Sequence, residues 1–161
     1  MAKLVSTRIA LDEKSRKKVI DILQPRLADA IDLMTFAKQA HWNVRGPEFM
    51  SLHKLFDELH DVVEGAADEL AERIAALGGT ARGTARMVAE ASTLKPYPAE
   101  ARVGRDHVVA VAAALGDFGA KLRQSAVDAD KAGDPATEDL CVGLIRDIDK
   151  WTWFVEAHVQ E

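Results

Sequence analysis

The sequence predicts an all-α protein: four long amphipathic helices in two pairs, forming a four-helix bundle with a short extra helix in the crossover between helices two and three. Three observations carry this. Apolar residues recur every three or four positions over long stretches. The breakers, such as Gly46-Pro47, Gly78-Gly79 and Gly133-Asp134-Pro135, are few and well separated. Almost no stretch shows the two-residue alternation of a strand. With 161 residues the chain reads as one domain, 1–161, with 1–11 as a short N-terminal tail, long enough to bury a core without covalent staples.

Asp12 can cap the first helix, expected to run to about Val44 with Ile20, Leu23, Leu27, Ile31 and Met34 on one face. Pro25 either kinks this stretch or opens a new helix, where no amide donor is needed. Arg45-Gly46-Pro47 breaks the pattern. A second helix is expected from about Glu48 to Leu77, with Phe49, Leu52, Phe56, Leu59, Val63, Leu70, Ile74 and Leu77 facing the core and Gly78-Gly79 as its stop. The short helix falls within Thr84 to Ala91, and Pro96 and Pro98 forbid helix until about Ala99. The third long helix is expected from about Glu100 to Ala132, striped by Val108, Val111, Leu115, Phe118 and Leu122. Gly133-Asp134-Pro135 then supplies a C-cap, an N-cap and a first-turn proline, and the last helix runs to about His158. Two helix pairs joined by one long connection define the bundle topology.

Composition narrows function. A net charge of −5 argues against phosphate contacts as the main business of the chain, while it suits cations entering an acidic cavity. The tail carries Lys3 and Arg8, a weak basic arm. The longest apolar run, 107–116, is too short to span a bilayer, and MAKLVSTRIA lacks a secretory h-region, so a cytoplasmic location without membrane association is expected. The single cysteine, Cys141, excludes an internal disulfide and reads as a buried packing residue.

One strip of the second helix stands out. With His53 at zero and about 100° per residue, Glu64 falls near 20°, Asp57 near 40°, Asp68 near 60° and Glu72 near 100°. His41 is reachable across the Gly46-Pro47 turn. A solvated helix face normally alternates charge sign for i,i+4 pairing, yet Leu55 to Glu72 contains no Lys or Arg. The spacing therefore favours a metal site over a wet surface. Imidazole with carboxylate and no thiolate suits iron, zinc or manganese. A di-iron site within one bundle needs Glu-x-x-His on two helices, and no such pair exists here. The ligands of one chain look half-sufficient, and a two-fold partner would supply the rest. His60, His107 and His158, with Glu64, read as surface or interface residues, and Trp151 and Trp153 as packing or subunit contacts.

AKQAHWNVRGPEF, the H-x3-D and D-x3-E-R spacings ahead of LGG, TLKPYP in the crossover and RDIDKWTWFVEAH near the end resemble the Dps proteins, small ferritin-like assemblies of bacteria. The resemblance runs from about Asp12 to His158. It implies a homo-oligomeric hollow dodecamer that binds ferrous iron at two-fold interfaces, oxidises it preferentially with hydrogen peroxide and stores ferric mineral. Such a ferroxidase would protect cell and DNA from oxidative stress, in the cytoplasm and in association with the nucleoid. His41, His53 and Asp57 would come from one subunit, and Asp68 with Glu72 from its partner. The resemblance also implies an iron-entry pore near Asp130, Asp134 and Asp139, although N-capping alone explains Asp134, and a role for Trp42 in absorbing stray oxidising equivalents beside the centre or as a core anchor. The alternatives are a nucleoid-condensing DNA-binding shell with little ferroxidase role and a zinc-binding bundle without redox chemistry. Because DNA-condensing members use lysine-rich tails, weak or absent DNA binding is expected.

Overall fold

A computed structural model describes residues 4–160. Lys3, one of the two tail bases, and Glu161 lie outside them. The described residues contain α1 (Glu13–Asn43), α2 (Phe49–Ala76), α3 (Ala85–Ala91), α4 (Gly104–Lys131) and α5 (Pro135–Glu156), and no strand. α1 packs on α2 and α4 on α5 as two hairpins, joined by α1 against α4 and α2 against α5, while α3 lies on α1. This is the four-helix bundle with a short helix in its crossover.

The local chemistry explains the boundaries. Asp12 caps α1 by accepting from the Ser15 amide at 3.0 Å. α1 is continuous through Pro25, which therefore opens no new helix. α2 ends in a Schellman turn: Gly79 N–H donates to Ile74 and Gly78 N–H to Ala75, both at 2.9 Å, with Gly78 at φ +89°. Gly78 also receives the N-terminal strap. Its carbonyl accepts from Val5 N–H at 2.9 Å, and the buried Arg16 donates to Leu77 O at 3.0 Å and Val5 O at 3.3 Å.

α4 starts four residues later than the sequence suggests. Asp106 turns its carboxylate back to accept from the backbone N–H groups of Arg102 and Val103, at 3.0 and 3.2 Å, which closes the first turn there. Gly104 is then pressed against α2, where a Cβ would lie 2.7 Å from a Leu52 methyl.

The core is built from Leu23 and Leu33 of α1, Phe56 and Leu70 of α2, and Phe118 and Leu122 of α4, all fully buried. Truncating Phe118 to Ala would cost about 3–5 kcal/mol at such a site. On α1 the fully buried stripe runs through Ala30, Leu33, Ala37 and Ala40, while Ile20, Ile31 and Met34 are only half-buried beside it. Phe49, expected in the core, is 41% exposed. Cys141 is buried, and burial pushes its thiol up to about 11, as suits a packing residue. His107 is not a surface residue: it is fully buried.

Candidate metal centre

The turn between α1 and α2 folds the end of one helix back over the start of the next. It depends on Gly46 at φ +113°, whose carbonyl accepts from Phe49 N–H. His41 sits in the last turn of α1 and His53 one turn into α2. Their rings stack with centroids 3.7 Å apart and 20° between planes.

The two histidines clasp each other reciprocally. His41 Nδ1 lies 2.7 Å from the His53 carbonyl, and His53 Nδ1 lies 2.9 Å from the His41 carbonyl. A carbonyl can only accept, so both Nδ1 atoms carry the proton. In the neutral rings both Nε2 atoms are left as bare lone pairs, the form in which imidazole binds a metal. The His41 carbonyl is among the last four of α1, which lack intrahelical partners, so the clasp also finishes that helix.

Asp57, one turn beyond His53, joins this pair, with Oδ1 3.7 Å from His41 Nδ1. The same oxygen accepts from the Lys38 ammonium. Hydrogen bonding to Lys38 is the largest influence on the Asp57 carboxyl; burial opposes it, and the charges of Lys38 and the two imidazoles add to it, holding the group below the usual carboxylate range. The idea that the acidic strip stands without nearby bases is thus corrected. It holds along α2 but not in three dimensions, because Lys38 reaches across from α1. The only sequence signal was its place three residues before His41, on the same face.

Asp68 and Glu72 are not part of this group. α2 is unbroken, and 1.5 Å per residue puts them about 22 and 28 Å from His53 along its axis. Both are exposed, and neither makes an ion pair or side-chain hydrogen bond among the described residues. Asp68 borders an open groove of 750 Å³ with an apolar floor of Leu27, Ile31 and Met34 and an acidic rim that includes Asp61 and Glu64. One chain cannot bring the five residues together.

Between the two halves, His60, Asp61 and Glu64 place ligand atoms within 4.8 Å of one another, and His60 Nδ1 is 3.1 Å from Asp61. The His60–Glu64 spacing of four was the available signal. Trp42 is 70% exposed, so it is no core anchor within the chain.

The pore set is reduced by the structure. Asp134 is buried: it accepts from Arg73 at 2.8 Å on both oxygens and from the Thr137 hydroxyl at 2.5 Å while capping α5. Burial opposes its charge, but Thr137 and Arg73 outweigh it and hold its pKa low. A carboxylate so fully engaged has nothing left to line a water-filled channel. Asp130 and Asp139 are exposed.

Comparison with known proteins agrees with the architecture. The family described as ferritin-like domain matches residues 20–161. The DNA protection during starvation protein of Agrobacterium fabrum is 41% identical over 155 residues, 96% of each chain. Among solved structures, DpsA14 from Streptomyces coelicolor superposes with a TM-score of 0.92 at 35% identity, covering 99% of this chain and 96% of that one. Dps from Microbacterium arborescens, solved in a high iron form, gives 0.89 at 29% identity over 98% of this chain and all of that one. No helix of the described residues is long and apolar enough to cross a membrane.

Proposed function

This chain belongs to the Dps proteins of the ferritin-like family, and from that membership we propose that it is a ferroxidase and iron-storage protein protecting DNA and cell from oxidative damage. Iron is its substrate, taken at seams between two copies related by a two-fold axis. His41, His53 and Asp57 of one copy face Asp68 and Glu72 of the other, so each isologous interface makes two equivalent sites. The observation that supports this most is the reciprocal histidine clasp, which engages both Nδ1 atoms and leaves both Nε2 atoms free, with the Asp57 carboxylate next to the His41 ring.

The chemistry follows from the donors. Carboxylates favour the ferric product over the ferrous reactant, and imidazoles keep affinity for the ferrous ion. Two ferrous ions, one hydrogen peroxide and two protons give two ferric ions and two waters, with no hydroxyl radical released. Lys38 occupies the charge position beside Asp57 until the ion arrives, and must swing away to free that oxygen. Twelve copies would enclose a cavity for ferric mineral, with Asp130 and Asp139 as the remaining candidates for its entry pore. Trp42, exposed beside His41, is placed to meet oxidants that leave the centre.

A nucleoid-condensing role finds little support in the N-terminal segment, where Val5 is strapped to Gly78 and Arg16, leaving Arg8 on a short tether. Weak DNA binding near physiological salt is the expectation, and stable gel-shift complexes there would contradict it. The ferroxidase is tested by adding ferrous iron anaerobically, then peroxide, and following ferric absorbance. Oxidation no faster than in buffer, with metal still bound, would leave the zinc-type reading. Native mass measurement tests the dodecamer.

A further inference from the structure

Away from the proposed seam, the crossover and α4 share a second group of chemically active side chains. Tyr97, the sole tyrosine of the chain and only half-buried, puts its hydroxyl 2.5 Å from Nδ1 of the fully buried His107. The ring planes lie 26° apart at 6.1 Å, and Phe36 packs its edge on Tyr97 at 5.0 Å. His107 Nε2 has no hydrogen-bond partner of good geometry, although it is shielded from water. It faces the backbone carbonyl of Asn43, the last residue of α1.

With the imidazole proton on Nε2, on the Asn43 side, bare Nδ1 accepts from the phenol O–H. At rest Nε2 is left without a formed hydrogen bond. The Asn43 carbonyl lies at the negative end of α1, and the Asp106 carboxylate is next in sequence to His107; both favour imidazolium. Burial, the largest influence on His107, keeps the ring neutral at rest and hence ready to take a proton. Burial likewise raises the Tyr97 phenol far above its usual value, so simple ionisation is closed to it.

We propose that Tyr97 and His107 form a proton-coupled one-electron donor that quenches oxidising radicals, with Tyr97 the redox group and His107 its proton acceptor. A hydroxyl radical, formed when a single ferrous ion reduces peroxide, takes one electron from the Tyr97 ring and becomes hydroxide. The phenol O–H bond breaks, and its proton moves along the 2.5 Å hydrogen bond to His107 Nδ1. The products are a neutral phenoxyl radical, an imidazolium held by Asn43 and Asp106, and hydroxide. A small thiol then returns one hydrogen-atom equivalent, an electron to the ring with the His107 proton returning to the phenolate, while the thiol loses its own proton to solvent. The source of the radical rests on the ferroxidase reading; the donor itself does not.

The experiment has two arms on the assembled full-length protein, grown with ring-deuterated tyrosine so that the electron-spin signal of Tyr97 is separable from tryptophan. In the first, iron-free protein is oxidised by flash-generated ruthenium(III) tris-bipyridine. The unaltered protein should give a tyrosyl radical faster in H2O than in D2O, Tyr97→Phe should give none, and His107→Gln should form it at least about 100-fold more slowly. No tyrosyl radical in the unaltered protein, no solvent isotope effect, or an unchanged rate in His107→Gln would overturn the pair. If His107→Gln does not fold, the isotope effect decides. In the second arm, ferrous iron at less than one ion per site is mixed with peroxide and frozen. Ferric absorbance accompanied by the Tyr97 signal supports the quenching role, and ferric absorbance without it overturns that role. If no ferric ion forms, the ferroxidase reading has failed and the photochemical arm alone judges the pair.

Discussion

The two ends of α2 carry the same kind of residue and solve different problems. At its start, His53 and Asp57 are held by their own chain: carbonyl bonds orient both histidines, and Lys38 answers the carboxylate. Toward its end, Asp68 and Glu72 stand exposed and unpaired among the described residues, Asp68 at the edge of a groove with an apolar floor. One half is preorganised before any ion or partner arrives; on the proposed reading, the other acquires a purpose only in an assembly. A site so divided would not work in an isolated chain, which would couple its chemistry to its quaternary structure.

The largest expected effect breaks the unpaired half. Asp68→Ala with Glu72→Ala should lower ferrous affinity and peroxide-driven oxidation more than 100-fold, since losing even supporting partners of a metal costs roughly 10–100-fold. Thermal stability of the protomer should shift by no more than about 0.5 kcal/mol, because both side chains are exposed. Normal oxidation rates in that variant would show the site to be misplaced.

The preorganised half should respond on both axes. His53→Ala removes a ligand and also leaves the His41 carbonyl without its donor, so denaturant unfolding should show a loss of about 0.5–1.5 kcal/mol beside the loss of metal binding. If His53→Ala is as stable as the unaltered chain, the clasp contributes nothing and the contrast between the halves disappears.

Lys38→Met probes the resident charge and should have the smallest effect. Exposed ion pairs are weak, so divalent-ion affinity by calorimetry should rise by less than about 10-fold once the ammonium no longer competes. The pH dependence has a definite sign. The Asp57 pKa is depressed, so its contact with Lys38 is fully formed above the ordinary carboxylate range and is lost as pH falls through the lowered value. Carboxyl-carbon NMR should show that titration moving upward in Lys38→Met.

Much of this was legible in the sequence because it was local. Gly78-Gly79 and Gly133-Asp134-Pro135 announce helix ends through backbone freedom and capping, and the strip on α2 follows from helical period alone. What was hidden was non-local or small. Lys38 answers Asp57 from another helix. Asp106 delays α4 by bonding backward to amides that no pattern marks. The buried stripe of α1 runs through Ala30, Ala37 and Ala40, residues too small to stand out against Ile20, Ile31 and Met34, which sit at its edge. The burial of His107 depends on Tyr97 arriving from the crossover. Asp134 sits in an acidic stretch, but its true partner, Arg73, is 61 residues away.

The N-terminal strap has a practical corollary. Val5 is bonded to the Gly78 carbonyl, and Gly78 itself has no room to change, since a Cβ there would lie 2.3 Å from Val5 O. A fluorescent protein or antigen fused ahead of residue 4 would therefore leave the bundle beside the Gly78 turn at the carboxyl end of α2. In a symmetric particle every copy would then hold its cargo at the same anchored exit point, with no long leash between cargo and bundle.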